Sequence, residues 1–329
     1  MVLKTGTPEA LYHDDAFVDF YDFENGWGAD TPYCARLARS AAAVLDLGCG
    51  TGLLAAHLAA GGVGRVVGVD PAAAMLRTAR TRPGGDMARW IEADARALDL
   101  GERFDLIVMT GHAFQCFLTA ADRAALLATI RRHLAPAGRF IFDSRNPLKR
   151  EWLEWRPEDV RHLIHPRHGR VAAWNEAFWD EATGLVHYDT FYRIEESGRL
   201  LSTRCALAFP SREEIESEIS AAGLAVETWY GDWQGGALTE TAPEIIPLFD
   251  SVPIEPVFDT PVFDPVIVPA ARLFSDDIEA FAPMLFTPYT VPEITPVLAL
   301  IDSPVGIPVA EKVSAAELAM FVTLFARKS

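Results

Sequence analysis

Cysteine is scarce in this chain. Cys34, Cys49, Cys116 and Cys205 are the only four in 329 residues, and no two form a CxxC pair. That spacing argues against a zinc site and against a disulfide framework, and it fits a reducing, cytoplasmic compartment. Positive charge is scarce too. Lys and Arg total 29 against 46 acidic residues, a net charge of −17, so the clustered cations that grip a phosphate backbone are missing and no nucleic-acid partner is expected. No apolar run approaches the roughly 18 residues of a membrane helix, so no membrane contact is expected. The opening MVLKTGTPEALYHDD has no apolar segment of the signal-peptide kind. Apolar residues, by contrast, make up half of the chain. That is enough for the core of one full α/β domain with residues to spare.

From residue 44 short β-branched runs alternate with Ala/Leu-rich helical runs. Strands are expected at Val44–Leu47, Arg65–Val69, Ala88–Glu92, Phe104–Met109 and Arg139–Asp143, with helices at Leu53–Ala60, Pro71–Arg80 and Ala121–His133. This rhythm predicts a parallel sheet with crossover helices. After Asn146 three longer runs, Val171–Trp179, Leu185–Ile194 and Leu200–Phe209, are separated by turn-like gaps and read as an antiparallel meander inserted at about 150–210. Ser211-Arg-Glu-Glu214 is a capping box that opens a helix through Ala222, with Gly223 at its end. Leu224–Tyr230 and Glu244–Phe249 complete seven strands in the main sheet.

Residues 250–329 differ from the rest. They hold 11 of the 22 prolines and one glycine, Gly306. Prolines at 253, 256, 261, 265 and 269 exclude a regular helix or a central strand there. The segment is nonetheless rich in Val, Ile and Phe, unlike ordinary disorder, and Pro-Val-Phe-Asp occurs at 256–259 and again at 261–264. Extended stretches docked on a surface are one reading, and Ala315–Ala326 can form an amphipathic helix. The segment is an extension of the 1–249 domain and a candidate for self-association or for engaging a protein partner.

Val44–Gly52 reads VLDLGCGTG. It brings a strand to its carboxyl end, where Gly48, Gly50 and Gly52 permit a tight turn and close approach of a ligand to the backbone. The helix that follows offers free N–H groups, and open α/β sheets bind ligands at this edge. A dinucleotide fingerprint would need a glycine at 53, where the chain has Leu53, which counts against a dinucleotide oxidoreductase. Asp46, two residues before the first glycine, suits a cationic ligand better than a pyrophosphate.

The segment Asp46-Leu-Gly48-Cys49-Gly50-Thr51-Gly52 resembles the first motif of class I S-adenosylmethionine-dependent methyltransferases. Three further segments are similar to that family in the same order. Val66–Asp70 ends in an acid 20 residues after Gly50. Glu92-Ala-Asp94-Ala95 follows the third strand, and Leu134-Ala-Pro-Ala-Gly138 precedes the fifth with Ala137 in place of a glycine. The resemblance covers about residues 10–249 and implies a Rossmann-like seven-stranded α/β fold with S-adenosyl-L-methionine as cofactor. It implies that the glycine loop cradles the methionine part and ribose, that Asp70 beside Pro71 holds the ribose hydroxyls, and that Asp94 and the N–H of Ala95 meet the adenine edge. Met109, at the end of the fourth strand, belongs to the same cofactor set.

In this fold the loop after Met109 faces the methyl group. His112 is a candidate general base, since an ordinary imidazole titrates near pH 6.5; the alternative is a histidine that packs or hydrogen-bonds within the loop. Gln115 could bond cofactor or acceptor, and Arg145 could bind an acceptor carboxylate or form a structural ion pair. Tyr21 is a candidate lid contact within the aromatic N-terminal segment, whose residues could equally be core. Trp174 and Tyr188 on the meander, like Trp179 and Tyr192, either roof a substrate pocket or fill the core, and Trp229 and Trp233 pose the same choice. His162, His165 and His168 are spaced by three, but Pro166 interrupts any helix there, so they read as a polar loop and no metal is expected. The leading reading is in-line methyl transfer to an N or O atom of a small-molecule acceptor. The alternatives are a binding or scaffolding protein that works through its Pro-rich tail, and a methyltransferase of proteins.

Overall fold

The computed structural model describes Leu3–Thr5 and residues 10–250. The Pro-rich extension, its repeated tetrapeptide and the helix expected at Ala315–Ala326 lie outside the described residues.

In chain order the described elements are β1 (Leu3–Thr5), α1 (Ala10–His13), α2 (Asp15–Glu24), α3 (Asp30–Leu37), β2 (Ala43–Leu47), α4 (Leu53–Ala60), β3 (Arg65–Asp70), α5 (Ala73–Thr81), β4 (Arg89–Glu92), β5 (Phe104–Met109), α6 (Ala120–His133), β6 (Leu134–Phe142), β7 (Ser144–Arg145), β8 (Arg161–His165), β9 (Gly169–Asp180), β10 (Leu185–Ile194), β11 (Arg199–Ala208), α7 (Arg212–Ala221), β12 (Ala225–Tyr230) and β13 (Glu244–Asp250).

The main sheet has the order β12-β13-β6-β5-β2-β3-β4, with the short β7 also paired to β13. Strands β2 to β6 are parallel and β13 runs against its neighbours. Every residue of β2 is buried, as expected of a strand with helices on both faces. On one face Leu45, Leu47, Ile107 and Phe140 pack with Leu126, Ile130, Ile215 and Ile219 of α6 and α7. On the other, Val44, Val66, Leu106 and Ile141 pack with Cys34, Leu54 and Leu58 of α3 and α4. The chain leaves β2 toward β3 and β4, then returns to β5 on the opposite side. The crevice beyond the carboxyl ends of β2 and β5 is therefore the topological switch point, where such sheets bind ligands.

The seven strands and the inserted meander agree with the sequence reading. The second sheet is larger than expected, however: β8 and β1 flank the three meander strands in the order β1-β11-β10-β9-β8. His162 and His165 accordingly lie on a strand, because Arg161–His165 pairs with Gly169–Ala173 across a tight turn at Pro166. The helix expected from Pro71 starts at Ala73 instead, since the Asp70 carboxylate first accepts the N–H of Ala72 at 2.8 Å. The Ser211–Glu214 capping box is present in full. The fifth strand extends back to Leu134 through Ala137, whose φ is +59°. A Cβ on Gly138 would meet the Phe104 carbonyl oxygen at 2.8 Å, so the glycine that this turn keeps is the one it requires.

Helix α2 is wedged between the two sheets. Its Phe17 and Phe20 pack against Val171, Tyr192 and Leu201 of the second sheet, while Val18 packs against Ala72 and Met75 beside α5. The N-terminal aromatics thus divide between both roles the sequence left open. Phe17 and Phe20 are core, Tyr12 and Tyr21 face the crevice, and Phe23 and Trp27 are exposed.

Candidate active site

A cleft of about 750 Å³ opens at the switch point, within the roughly 300–1,000 Å³ range of small-molecule sites. Its floor is the β2–α4 loop. Gly48, Gly50 and Gly52 have φ of +68°, +53° and +77°, a left-handed backbone in which a Cβ is strained. They differ in what they face. A Cβ on Gly50 would approach the Tyr21 ring at 3.9 Å, whereas one on Gly52 would strike Trp90 at 2.5 Å and Ala79 at 2.7 Å. Gly50 opens the floor toward Tyr21 of α2; Gly52 lets the loop close on the sheet.

Asp46 lies on the wall of the cleft and is 2% exposed. Burial, with Asp70 and Asp30 nearby, pushes its pKa up to about 8. A cation in the cleft offsets that penalty. Asp70 accepts the N–H of Gly50 at 2.9 Å and that of Ala72 at 2.8 Å, so it pins the loop and still has lone pairs for further donors. Burial pushes its pKa up, and the two N–H bonds pull it back. Tyr21 closes the cleft from above. Burial holds its phenol protonated, so it can donate. Around it α2 is fastened on both sides. Thr51 donates to Asp22 at 2.7 Å and Arg82 pairs with Asp22, while Tyr192 donates to Glu24 at 2.6 Å and Arg161 pairs with it at 2.9 Å.

At the far end sits a cluster of His112, Asp143 and Glu244. His112 Nε2 is 3.0 and 3.1 Å from the two oxygens of Glu244 and 3.7 Å from Asp143 Oδ2. The His112 N–H donates to Asp143 Oδ1 at 2.9 Å, and Trp233 Nε1 donates to Asp143 Oδ2 at 3.4 Å. Burial alone would lower the pKa of His112; the charge of Asp143 and the bond to Glu244 outweigh it and raise the pKa above the ordinary value. Burial raises that of Asp143. His112 has φ of +60°, unfavourable for a residue with a Cβ, and its bonds through both N–H and ring hold it there.

Of the expected residues, Tyr21, Asp46, Gly48, Cys49, Gly50, Thr51, His112, Arg145 and Tyr188 line this cleft. Gly52, Asp70, Pro71, Asp94, Ala95 and Met109 are not on its wall. Met109 and Ala95 are buried in the core beside β2 and α6, and Asp94 is ion-paired to Arg96, which lowers its pKa. Two acceptor candidates are placed differently from the expectation. The ring of Trp174 stacks on Phe191 at 4.9 Å, and Phe191 is its cross-strand partner. Asn175 and Thr190 next to them line the cleft instead, because strand side chains alternate faces. Gln115 is fully buried. It donates to the Ala208 carbonyl at 2.8 Å and accepts from Arg145 Nη1 at 3.0 Å, so it acts on the cleft only through Arg145.

The sequence reading missed Asp30, Trp155, Arg161 and Glu244, all on the wall, whereas Trp233, left open between pocket and core, also lines it. Glu244 had a signal. It opens the strand that runs antiparallel, and such a strand begins at the edge where the parallel strands end.

Among the described residues, two trios of side chains have potential ligand atoms within 4.8 Å of one another: His112-Asp143-Glu244 and Asp19-His165-His168. In the second, His165 Nδ1 accepts the Arg167 N–H at 3.2 Å while Nε2 faces the Asp19 carbonyl at 3.2 Å. A neutral His165 thus carries its proton on the nitrogen a metal would need, and the trio works as a hydrogen-bond anchor for α2.

The sequence pattern described as "Methyltransferase domain" matches residues 44–138. The chain is 30% identical over 205 residues to a cypemycin N-terminal methyltransferase of Streptomyces sp., covering 62% of this chain and 80% of that protein. It is 25% identical over 268 residues to a dTDP-3-amino-3,6-dideoxy-alpha-D-glucopyranose N,N-dimethyltransferase of Streptomyces fradiae, covering 73% of this chain and 95% of the relative. Among solved structures it superposes on an S-adenosylmethionine-bound amino pentose methyltransferase of Micromonospora echinaspora. The TM-score is 0.54 and the identity 25%, covering 71% of this chain and 97% of that one. The geometry of the cleft fits the cofactor these proteins use. A Cβ on Gly50 would project toward Tyr21 into the cleft, the buried Asp46 has no counter-cation among the described residues, and Asp70 has acceptor capacity left.

Proposed function

Because the chain belongs to the S-adenosylmethionine-dependent methyltransferases, we propose that its acceptor is an amine nitrogen of a small molecule. The observation that carries this reading is the His112-Asp143-Glu244 cluster at the end of the cleft. The cofactor supplies a methyl group on a sulfonium sulfur, already activated for displacement. The chain holds the acceptor in line, which can contribute roughly 7–11 kcal/mol, and manages one proton. An amine arrives as ammonium and must shed a proton to expose its lone pair. Glu244 and Asp143 favour the cation through charge-assisted bonds, and the neutral ring of His112, bonded to Glu244 through Nε2, takes the proton. A neutral hydroxyl gains a hydrogen bond from the carboxylates but no ion pair. The Streptomyces relatives support this reading, since the name of each places its methyl group on nitrogen or on an N-terminus. The α-amine of a short peptide presents the same chemistry as an amino sugar.

The test is transfer of labelled methyl from S-adenosylmethionine to matched panels of small amines and alcohols. Label is expected on amines, and Glu244→Gln is expected to lower kcat/KM at least about tenfold while S-adenosylhomocysteine still binds. Label found only on alcohols refutes the proposal.

A further inference from the structure

Arg145 is, with Arg161, a cation on the wall of a cleft rich in carboxylates. Its side chain is only 20% exposed. Nε faces Glu151 at 3.2 Å and Nη1 donates to Gln115 Oε1 at 3.0 Å, while the guanidinium lies over the Trp155 ring at 5.1 Å. Gln115 is itself immobilised, fully buried and bonded to the Ala208 carbonyl. Nη2 has no hydrogen-bond partner among the described residues. A guanidinium fixed on one side and free on the other is a preorganised anion receptor, because its planar fork matches a carboxylate or phosphate.

The placement adds a distance. Arg145 on β7 is directly opposite Glu244 on β13 in the antiparallel pair. Facing residues have Cβ atoms about 4.5–5.5 Å apart. The Arg145 side chain therefore leaves the backbone beside that of Glu244, and its charge acts on His112 and Asp143 of the same cluster.

Resting on the amine reading above, we propose that the acceptor is an amine carrying an anionic group, a carboxylate or a phosphate, within a few bonds of its nitrogen, and that Arg145 binds that group. Gln115 is a positioning residue for Arg145, and Trp155 is the platform beneath it.

The first measurement needs no turnover. The full chain saturated with S-adenosylhomocysteine is titrated with acetate and, separately, with inorganic phosphate at constant ionic strength, and thermal stability is followed. Saturable stabilisation by at least one anion is expected. Arg145→Gln should weaken it at least tenfold, with Arg145→Lys in between because it keeps the charge and loses the fork. The relative strength of the two anions identifies the source. No saturation in the wild type, or equal saturation in Arg145→Gln, overturns the proposal. S-adenosylhomocysteine binding by each variant reports that it is folded, and Arg145→Lys carries the test if Arg145→Gln does not fold.

The second measurement compares kcat/KM within matched pairs: phenylalanine against phenylalaninamide, and O-phosphoethanolamine against ethanolamine. A preference of at least tenfold for the anionic member, lost in Arg145→Gln, supports the proposal. Equal turnover of both members, or a preference that survives in Arg145→Gln, overturns it. If no amine is methylated, the amine reading fails, and the anion titration still decides the role of Arg145.

Discussion

Gly50 and Gly52 lie two residues apart in one loop, and the structure separates what each is for. Both have positive φ, +53° and +77°. Placing a Cβ there costs about 1–2 kcal/mol, partly offset by about 0.4–1 kcal/mol because alanine restricts the unfolded chain. For Gly50→Ala little else is added, since the new methyl would meet only the Tyr21 ring at an ordinary 3.9 Å. Its expected stability loss is about 0–1.6 kcal/mol. For Gly52→Ala the methyl would be 2.5 Å from Trp90 and 2.7 Å from Ala79. Overpacking of that kind adds about 1–3 kcal/mol, so the expected loss is about 1–4.6 kcal/mol. In a domain of this size that is a fall in Tm of roughly 2 to 18 °C. The order reverses for cofactor binding. The Gly50 methyl would project into the space between floor and lid, so Gly50→Ala should weaken S-adenosylhomocysteine at least about tenfold, equivalent to about 1.4 kcal/mol. Thermal denaturation and isothermal titration on the two variants check both halves. Equal Tm values, or unimpaired cofactor binding by Gly50→Ala, would refute the assignment of Gly50 to the ligand and of Gly52 to closure.

Two more outcomes follow from local geometry. The pKa of His112 is raised above its ordinary value of about 6.5. If its neutral ring takes the proton, kcat/KM should rise with pH through that raised value, and His112→Asn should abolish this rise; a limb that survives the substitution removes His112 from the proton step. The sign for stability is opposite. The ion pair with Glu244 contributes fully below pH about 6.5 and its contribution is lost as pH climbs through the raised pKa. Separately, Ala137 has φ of +59°, so Ala137→Gly should stabilise the chain by about 0–1.6 kcal/mol, the strain relieved less the added freedom of the unfolded chain. A lowered Tm would show that the Ala137 methyl makes packing contacts worth more than the strain.

Much of the fold was legible in the sequence. Residues of β2, β3 and β5 are buried on both faces, and so they announce themselves as short apolar runs. The Ser211–Glu214 box marks a helix start because capping is a local contact. Half of the site was legible for the same reason. Asp46, the glycines and Thr51 are neighbours along the chain, and their spacing reports the turn they make.

What the sequence by itself determined is the loop VLDLGCGTG and the strand–helix rhythm around it, hence the family and the methyl donor. Only the tertiary structure decided what stands opposite that loop. His112, Asp143, Arg145 and Glu244 meet because an antiparallel last strand starts where the parallel strands end, a pairing across about 100 residues of chain. The face of each meander strand was equally out of reach. Trp174 and Asn175 are adjacent in sequence and point to opposite sides, and only the register of β9 with β10 says which of them sees the cleft. Local motifs are written in neighbouring residues, whereas a pocket wall is set by which strand lies beside which.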